Sequence, residues 1–263
     1  MGQIVVRAGL IATFALLPLL FLQGQQVRRR TPRLPGAHTD HEGAVAAYGA
    51  ELRLLVIGES TAAGVGVGSH RDGLAGQVAC ALSERVARTV SWQAVGRIGA
   101  TARTVRRELL DEVRATQADF IVIALGVNDT LAFTWPARWR TYLRELIDAL
   151  RARVGAATVM ISPVPPLGSF QTLPQPLRAI LGLRARALDR ASHRVAREMN
   201  DVHHVAIPFA GEEPMMCSDR FHPSAEGYRV WGLHMADAIA QLLAHRATDS
   251  FARLPPHRGD VLE

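Results

Sequence analysis

The chain has no lysine. All 30 of its Lys-plus-Arg residues are arginine, in a total of 263 residues. That absence excludes a Schiff-base lysine, a P-loop lysine and a Ser–Lys dyad together. Cysteine is nearly as scarce. Cys80 and Cys217 lie far apart and form no CxxC pair, which excludes a disulfide scaffold and a cysteine-built zinc site. Aromatic residues make up 6%, and no aromatic–basic motif or DNA-binding spacing occurs. The net charge of +6 therefore carries no expectation of a nucleic-acid partner. Internal repeats and low-complexity blocks are also missing. What remains is an ordinary globular composition, 48% hydrophobic and 21% charged. A chain of this size buries a core without staples.

One long uncharged run is present. Residues 8–27 hold no charged side chain, and the apolar part runs from Leu10 to Leu22. A bilayer span takes ~20 residues, with a lower limit of ~17. Residues 1–27 therefore read as a membrane anchor or a signal-like segment. Arg7 precedes the run, and Arg28, Arg29, Arg30 and Arg33 follow it. No A-x-A cleavage site separates the run from these arginines, and positive charge there resists translocation. The expectation is membrane association through residues 8–27, with the body on the cytoplasmic face. The alternatives are a cleaved signal with a secreted or periplasmic body, and a buried helix. Residues 28–50, with Pro32, Pro35, Gly36 and Gly43, read as a basic linker. Residues 51–245 read as the folded domain and 246–263 as a polar tail.

Within the domain, short β-rich runs alternate with helical patterns. Leu52–Ile57, Val90–Val95, Phe120–Leu125, Ala157–Ile161 and Val202–Ile207 read as buried strands. Leu74–Ala87, Thr101–Arg114, Pro136–Arg153, Ile180–Met199 and Pro223–Ala244 read as helices. In the second of these, Val105, Leu109 and Val113 recur every fourth residue. Pro163, Pro165, Pro166, Gly168, Pro174 and Pro176 crowd a long loop between the fourth strand and its helix. The pattern predicts an α/β fold, a three-layer α/β/α arrangement around a parallel sheet of about five strands.

In open parallel sheets, functional groups gather at the carboxyl ends of the strands. Four segments there carry chemistry. Gly58-Glu59-Ser60-Thr61-Ala62 follows the first strand, and a serine beside a base becomes a nucleophile. Gly96-Arg97-Ile98-Gly99-Ala100-Thr101 follows the second, and a glycine presents its N–H to a ligand at close range. Gly126-Val127-Asn128-Asp129 follows the third, and an asparagine amide donates toward a developing oxyanion. Asp219-Arg220-Phe221-His222-Pro223 precedes the last helix, and its carboxylate and imidazole can bond within one loop. Taken singly, each segment also reads as an ordinary turn or helix cap.

Together, in this order, the four segments resemble the SGNH/GDSL hydrolase superfamily over about Leu52 to Leu243. The resemblance implies a flavodoxin-like parallel sheet and a serine ester hydrolase of esterase, lysophospholipase or thioesterase type. It implies Ser60 as nucleophile, His222 as base and Asp219 as its orienting acid. It implies an oxyanion hole from the N–H groups of Ser60 and Gly99 and the amide of Asn128. Gly96 is the rival for the second donor. The implied partner is a small-molecule or lipid ester, with no cofactor and no metal. The first block departs from the usual Gly-Asp-Ser-Leu in having Glu59 and Thr61. The α/β-hydrolase elbow, G-x-S-x-G, does not fit, because Ala62 stands at its last position. Acyl transfer to a sugar or lipid acceptor is the alternative reaction. A non-catalytic membrane-tethered binding module is the alternative class.

The remaining special residues read as structural. His203 and His204 lie in a strand and show too few ligands for a metal. His70, His193, His234, His245 and His257 read as surface residues. Cys80 reads as core and Cys217 as structural. Trp92, Trp135, Trp139 and Trp231 read as packing residues, with Trp135 and Phe133 placed to touch an acyl chain.

Overall fold

The computed structural model describes residues 18–208 and 214–252, the last four by their backbone. Among these residues, six strands form one sheet: β1 (Glu42–Val45), β2 (Gly49–Gly58), β3 (Arg88–Gly96), β4 (Phe120–Ala124), β5 (Thr158–Ile161) and β6 (Val202–His204). Their spatial order is β1-β3-β2-β4-β5-β6. All pairs are parallel except β1 with β3. This is the expected mostly parallel α/β fold, with one strand more than the periodicity reveals.

The layers follow from the alternation within the central strands. Leu55 and Ile57 of β2, with Ile121 and Ile123 of β4, point to one face. Leu54 and Val56, with Phe120 and Val122, point to the other. Both faces are apolar, so both must be covered. Helices α5 (Pro136–Val154) and α6 (Leu177–Glu198) cover the first, through Trp139, Leu143, Ile147, Leu181 and Leu188. Helices α2 (Leu74–Val86) and α7 (Ala225–Ala252) cover the second, through Val78, Leu82, Tyr228, Trp231 and Met235.

Several sequence expectations are corrected. The segment read as a linker contributes edge strand β1. Gly43, a linker signal in the sequence, sits where a Cβ would come within 2.8 Å of the Trp92 indole. Close approach, rather than flexibility, requires glycine there. The helix expected over Thr101–Arg114 is irregular. It begins as α3 (Ala102–Thr104), widens over Val105–Leu109 and tightens over Leu110–Glu112. Its every-fourth-residue stripe still buries Val105, Leu109 and Val113. The last helix starts at Ala225, two residues after Pro223, with Ser224 Oγ accepting the Gly227 N–H at 3.2 Å. It continues to Ala252, so the start of the expected polar tail is helical; residues 253–263 lie outside the described residues.

The expected membrane segment finds no support. Among the described residues, no helix is long and apolar enough to cross a membrane. Residues 8–17 of that segment lie outside the described residues. The rest belongs to α1, residues 18–30, which docks on the domain. Leu20 joins the core beneath α6. Gln23 accepts the Leu177 N–H at 3.2 Å and donates to the Gln175 carbonyl at 2.7 Å. One orphan N–H at the start of α6 is thereby satisfied. Leu19, Phe21 and Leu22 face outward.

Candidate active site

The sheet ends set the stage. Gly58, the last residue of β2, pairs with Gly96 of β3 and Ala124 of β4. A Cβ on Gly58 would lie 2.0 Å from the Ala124 carbonyl oxygen. Gly96 is equally confined, since its Cβ would meet the Ala63 nitrogen at 2.2 Å. These glycines let the turn carrying Ser60 press against two neighbouring strands. Gly96 is therefore a packing glycine. Gly99, its rival, has φ +83° and open space where a Cβ would stand. A left-handed residue beside open space leaves its backbone accessible.

Ser60, Asp219 and His222 come together. Nε2 of His222 lies 3.0 Å from Ser60 Oγ, and Nδ1 lies 2.6 Å from Asp219 Oδ2. The second carboxylate oxygen, Oδ1, accepts the N–H groups of Phe221 and His222 at 2.9 and 3.0 Å. The Asp219 side chain is fully buried, and His222 is 19% exposed. Burial pushes the Asp219 carboxyl up, but the bonds from the His222 ring and these two N–H groups outweigh it and hold it below the usual carboxylate range. An ionised Asp219 only accepts, so Nδ1 carries a hydrogen toward it, and Nε2 is the nitrogen that faces Ser60.

The loop that carries this pair is tightly wound. The Cys217 N–H donates to the His222 carbonyl at 2.8 Å, and the Arg220 N–H to the Cys217 carbonyl at 2.8 Å. Arg220 sits at φ 52°. Phe221 packs edge-on to Phe170, with ring centroids 5.4 Å apart. The proline-rich loop thus supports the histidine loop. Cys217 donates its Sγ–H to the Pro223 carbonyl at 3.1 Å, consistent with a structural role.

Two further carboxylates were not given these roles by the sequence. Glu59 is buried beside Ser60 and accepts the backbone N–H groups of Val127 and Asn128, each at 2.9 Å. It also accepts a short bond from the Asn128 side-chain amide. Burial, the largest influence, lifts Glu59 to about 7 despite these donors, and neighbouring Asp129 pushes the same way. Asp129 is buried in turn and accepts the Ala102 N–H at 2.9 Å. Burial raises it to about 6, against the Ala102 N–H and Thr134. The serine loop is therefore tied to the Asn128 loop through Glu59. The Asn128 loop is tied through Asp129 to the turn that follows Gly99. A carboxylate next to each block residue was the available signal; its partners lie on other loops and leave no local pattern.

The other residues sort as follows. Trp92, Trp139 and Trp231 are buried, while Trp135 is 75% exposed. Ile98, Leu131 and Phe133 are also exposed, next to Gly99 and Asn128. The Arg184 guanidinium lies 4.3 Å from the Phe133 ring centroid and donates to the Thr134 carbonyl at 3.1 Å. The surface reading of His70 and the core reading of Cys80 both fail. His70 is buried, because its loop folds over residues 37–41 and its N–H donates to the Thr39 carbonyl at 3.1 Å. Cys80 is exposed, because α2 turns Val78, Ala79 and Leu82 inward instead.

Comparison with known proteins bears on the family and the fold. Residues 56–230 match the GDSL-like Lipase/Acylhydrolase family. A GDSL-like esterase of Mycobacterium tuberculosis is 29% identical over 246 residues, covering 84% of this chain and 78% of the relative. Among solved structures, TesA superposes with a TM-score of 0.54 at 23% identity, over 73% of this chain and 99% of its own. The psychrotrophic esterase EstA from Pseudoalteromonas sp. gives 0.52 at 19% identity, over 73% and 98%. These structural likenesses carry the fold, and the family match carries the chemistry. The chain belongs to the GDSL-like lipase/acylhydrolase family and is a hydrolase acting on ester bonds.

Proposed function

We propose that the chain cleaves carboxylic esters through an acyl-enzyme on Ser60. The observation that carries this reading is the continuous Asp219–His222–Ser60 hydrogen-bond chain, at 2.6 and 3.0 Å. His222 Nε2 takes the hydroxyl proton as Ser60 Oγ attacks the ester carbonyl. Asp219 holds the ring in the required tautomer and stabilises the imidazolium that forms. The tetrahedral oxyanion is met by the N–H groups of Ser60 and Gly99 and by the Asn128 amide. One amide hydrogen of Asn128 is held by Glu59, which leaves the other for the oxyanion. The alcohol departs with the proton from His222. His222 then deprotonates a water that attacks the acyl carbon, releasing the acid and restoring Ser60.

Glu59 and Asp129 are positioning residues in this scheme, since they act through Asn128 and the turn beside Gly99. Ile98 lies on the Gly99 loop and Leu131, Phe133 and Trp135 follow Asn128, and all four side chains are exposed and apolar. Exposed apolar side chains on the two donor loops favour an acyl chain over a sugar.

The test is hydrolysis of p-nitrophenyl acetate, butyrate and palmitate by the full chain and by Ser60→Ala. Ser60-dependent release is expected, with longer chains favoured if the exposed apolar side chains of the donor loops touch the acyl group. Turnover that survives Ser60→Ala overturns the assignment. Transfer to an added alcohol or sugar in preference to water replaces hydrolysis by acyl transfer on the same serine.

A further inference from the structure

A second carboxylate–imidazole cluster stands at the sheet edge, away from Ser60. His204 ends β6, the edge strand, while Asp189 and His193 lie one turn apart on α6. His204 Nε2 is 2.9 Å from Asp189 Oδ1, and His193 Nε2 is 3.8 Å from Asp189 Oδ2. One ligand atom from each of the three residues falls within 4.8 Å of the others. The two imidazoles stack, with centroids 3.6 Å apart and planes splayed by 23°.

We propose that Asp189, His193 and His204 bind a divalent transition ion of the Zn2+ class. The donor set is two imidazole nitrogens and one carboxylate, which suits Zn2+ and excludes the all-oxygen preference of Ca2+ and Mg2+. Tetrahedral zinc with bonds of ~2.0–2.1 Å places its ligand atoms roughly 3.3 Å apart. The two measured separations, 2.9 and 3.8 Å, bracket that span. The longer one exceeds a hydrogen bond, so His193 and Asp189 are in electrostatic contact there without being hydrogen-bonded. The His204 ring is nearly fully buried, and its Nδ1 has no hydrogen-bond partner. Three protein ligands leave a fourth position for water.

The ion ties α6 to the edge strand. Asp189 Oδ1 also accepts the Val164 N–H at 2.9 Å. The Val164 side chain fills the space beside Gly126, where a Cβ would meet it at 2.6 Å. Gly126 directly precedes α4 (Val127–Leu131), which carries Asn128. The site thus sits one packing contact from a donor loop. It does not depend on the ester-cleaving assignment.

The test uses the full chain, dialysed against EDTA and titrated with Zn2+ by calorimetry, with Co2+ absorption as the spectroscopic probe. Saturable binding of one ion per chain and a tetrahedral Co2+ band are expected. His193→Ala, at an exposed position, should keep the metal-free melting temperature, weaken Zn2+ binding at least about tenfold and abolish the band. Asp189→Asn should weaken it as well, while His222→Ala should leave it unchanged. Absence of saturable binding overturns the proposal, as does affinity unchanged in His193→Ala. Loss of binding in His222→Ala also overturns it, because the ion would then sit at the other pair.

Discussion

Among the described residues, the Asp219–His222 pair in the loop before α7 can be set against the Asp189–His204 pair at the end of β6. Their bonds are alike, 2.6 and 2.9 Å. They differ in what lies beyond the ring. The far nitrogen of His222 meets Ser60 Oγ at 3.0 Å. The far nitrogen of His204 meets no partner, and its ring stacks on a second histidine. An acid–imidazole bond fixes a tautomer in both places; the third group decides the chemistry. A hydroxyl makes the ring a base, and a second imidazole makes it half of a chelate.

The comparison breaks most sharply at the serine. Ser60→Ala or His222→Ala should cut ester turnover by at least about a thousandfold, while His204→Gln should leave kcat within a few-fold. A pH-stat or chromogenic ester assay reads this directly. Asn128→Ala comes next. Losing one oxyanion donor costs ~10²–10³ in kcat, with KM little changed.

Glu59 supplies a finer test. Burial raises its carboxyl to about 7. Below that pH it is protonated and cannot accept all three N–H groups; above it, it can. The wild-type kcat profile should therefore carry an ascending limb near pH 7 that Glu59→Gln removes, with about a tenfold loss at pH 8. Glu59→Asp should recover part of it. Stability runs the other way. The folded pKa lies above the ordinary 4.5, so this contribution is present below pH 4.5 and lost as pH rises through about 7.

His70 gives the smallest effect and the opposite sign. Burial, then neighbouring His41, lowers it from 6.5 to about 4. The unfolded chain takes up a proton that the fold refuses, so stability should fall as pH drops from 6.5 toward 4. Thermal melts should show that slope reduced in His70→Gln.

The same comparison explains what the sequence made legible. Asp219 and His222 are three residues apart in one loop, so their pairing follows from local spacing. The central strands were equally legible, because β4 and the Leu54–Ile57 stretch of β2 are apolar on both faces. Asp189 and His204 are fifteen residues apart, on a helix and a strand. No local pattern joins them, and His204 therefore read as a strand residue with too few ligands. Glu59 was hidden for the same reason, since its partners belong to the loop around Asn128. Strand β1 was hidden because its glycine answers to the Trp92 ring, a contact 49 positions away.

The central claim is that Ser60 is the nucleophile and His222 its base. The most direct measurement is intact-mass and peptide mapping after treatment with a fluorophosphonate. One adduct per chain, located on Ser60 and formed far more slowly in His222→Ala, is the predicted result. An adduct on another residue, or labelling of Ser60 at an undiminished rate without His222, would contradict the account.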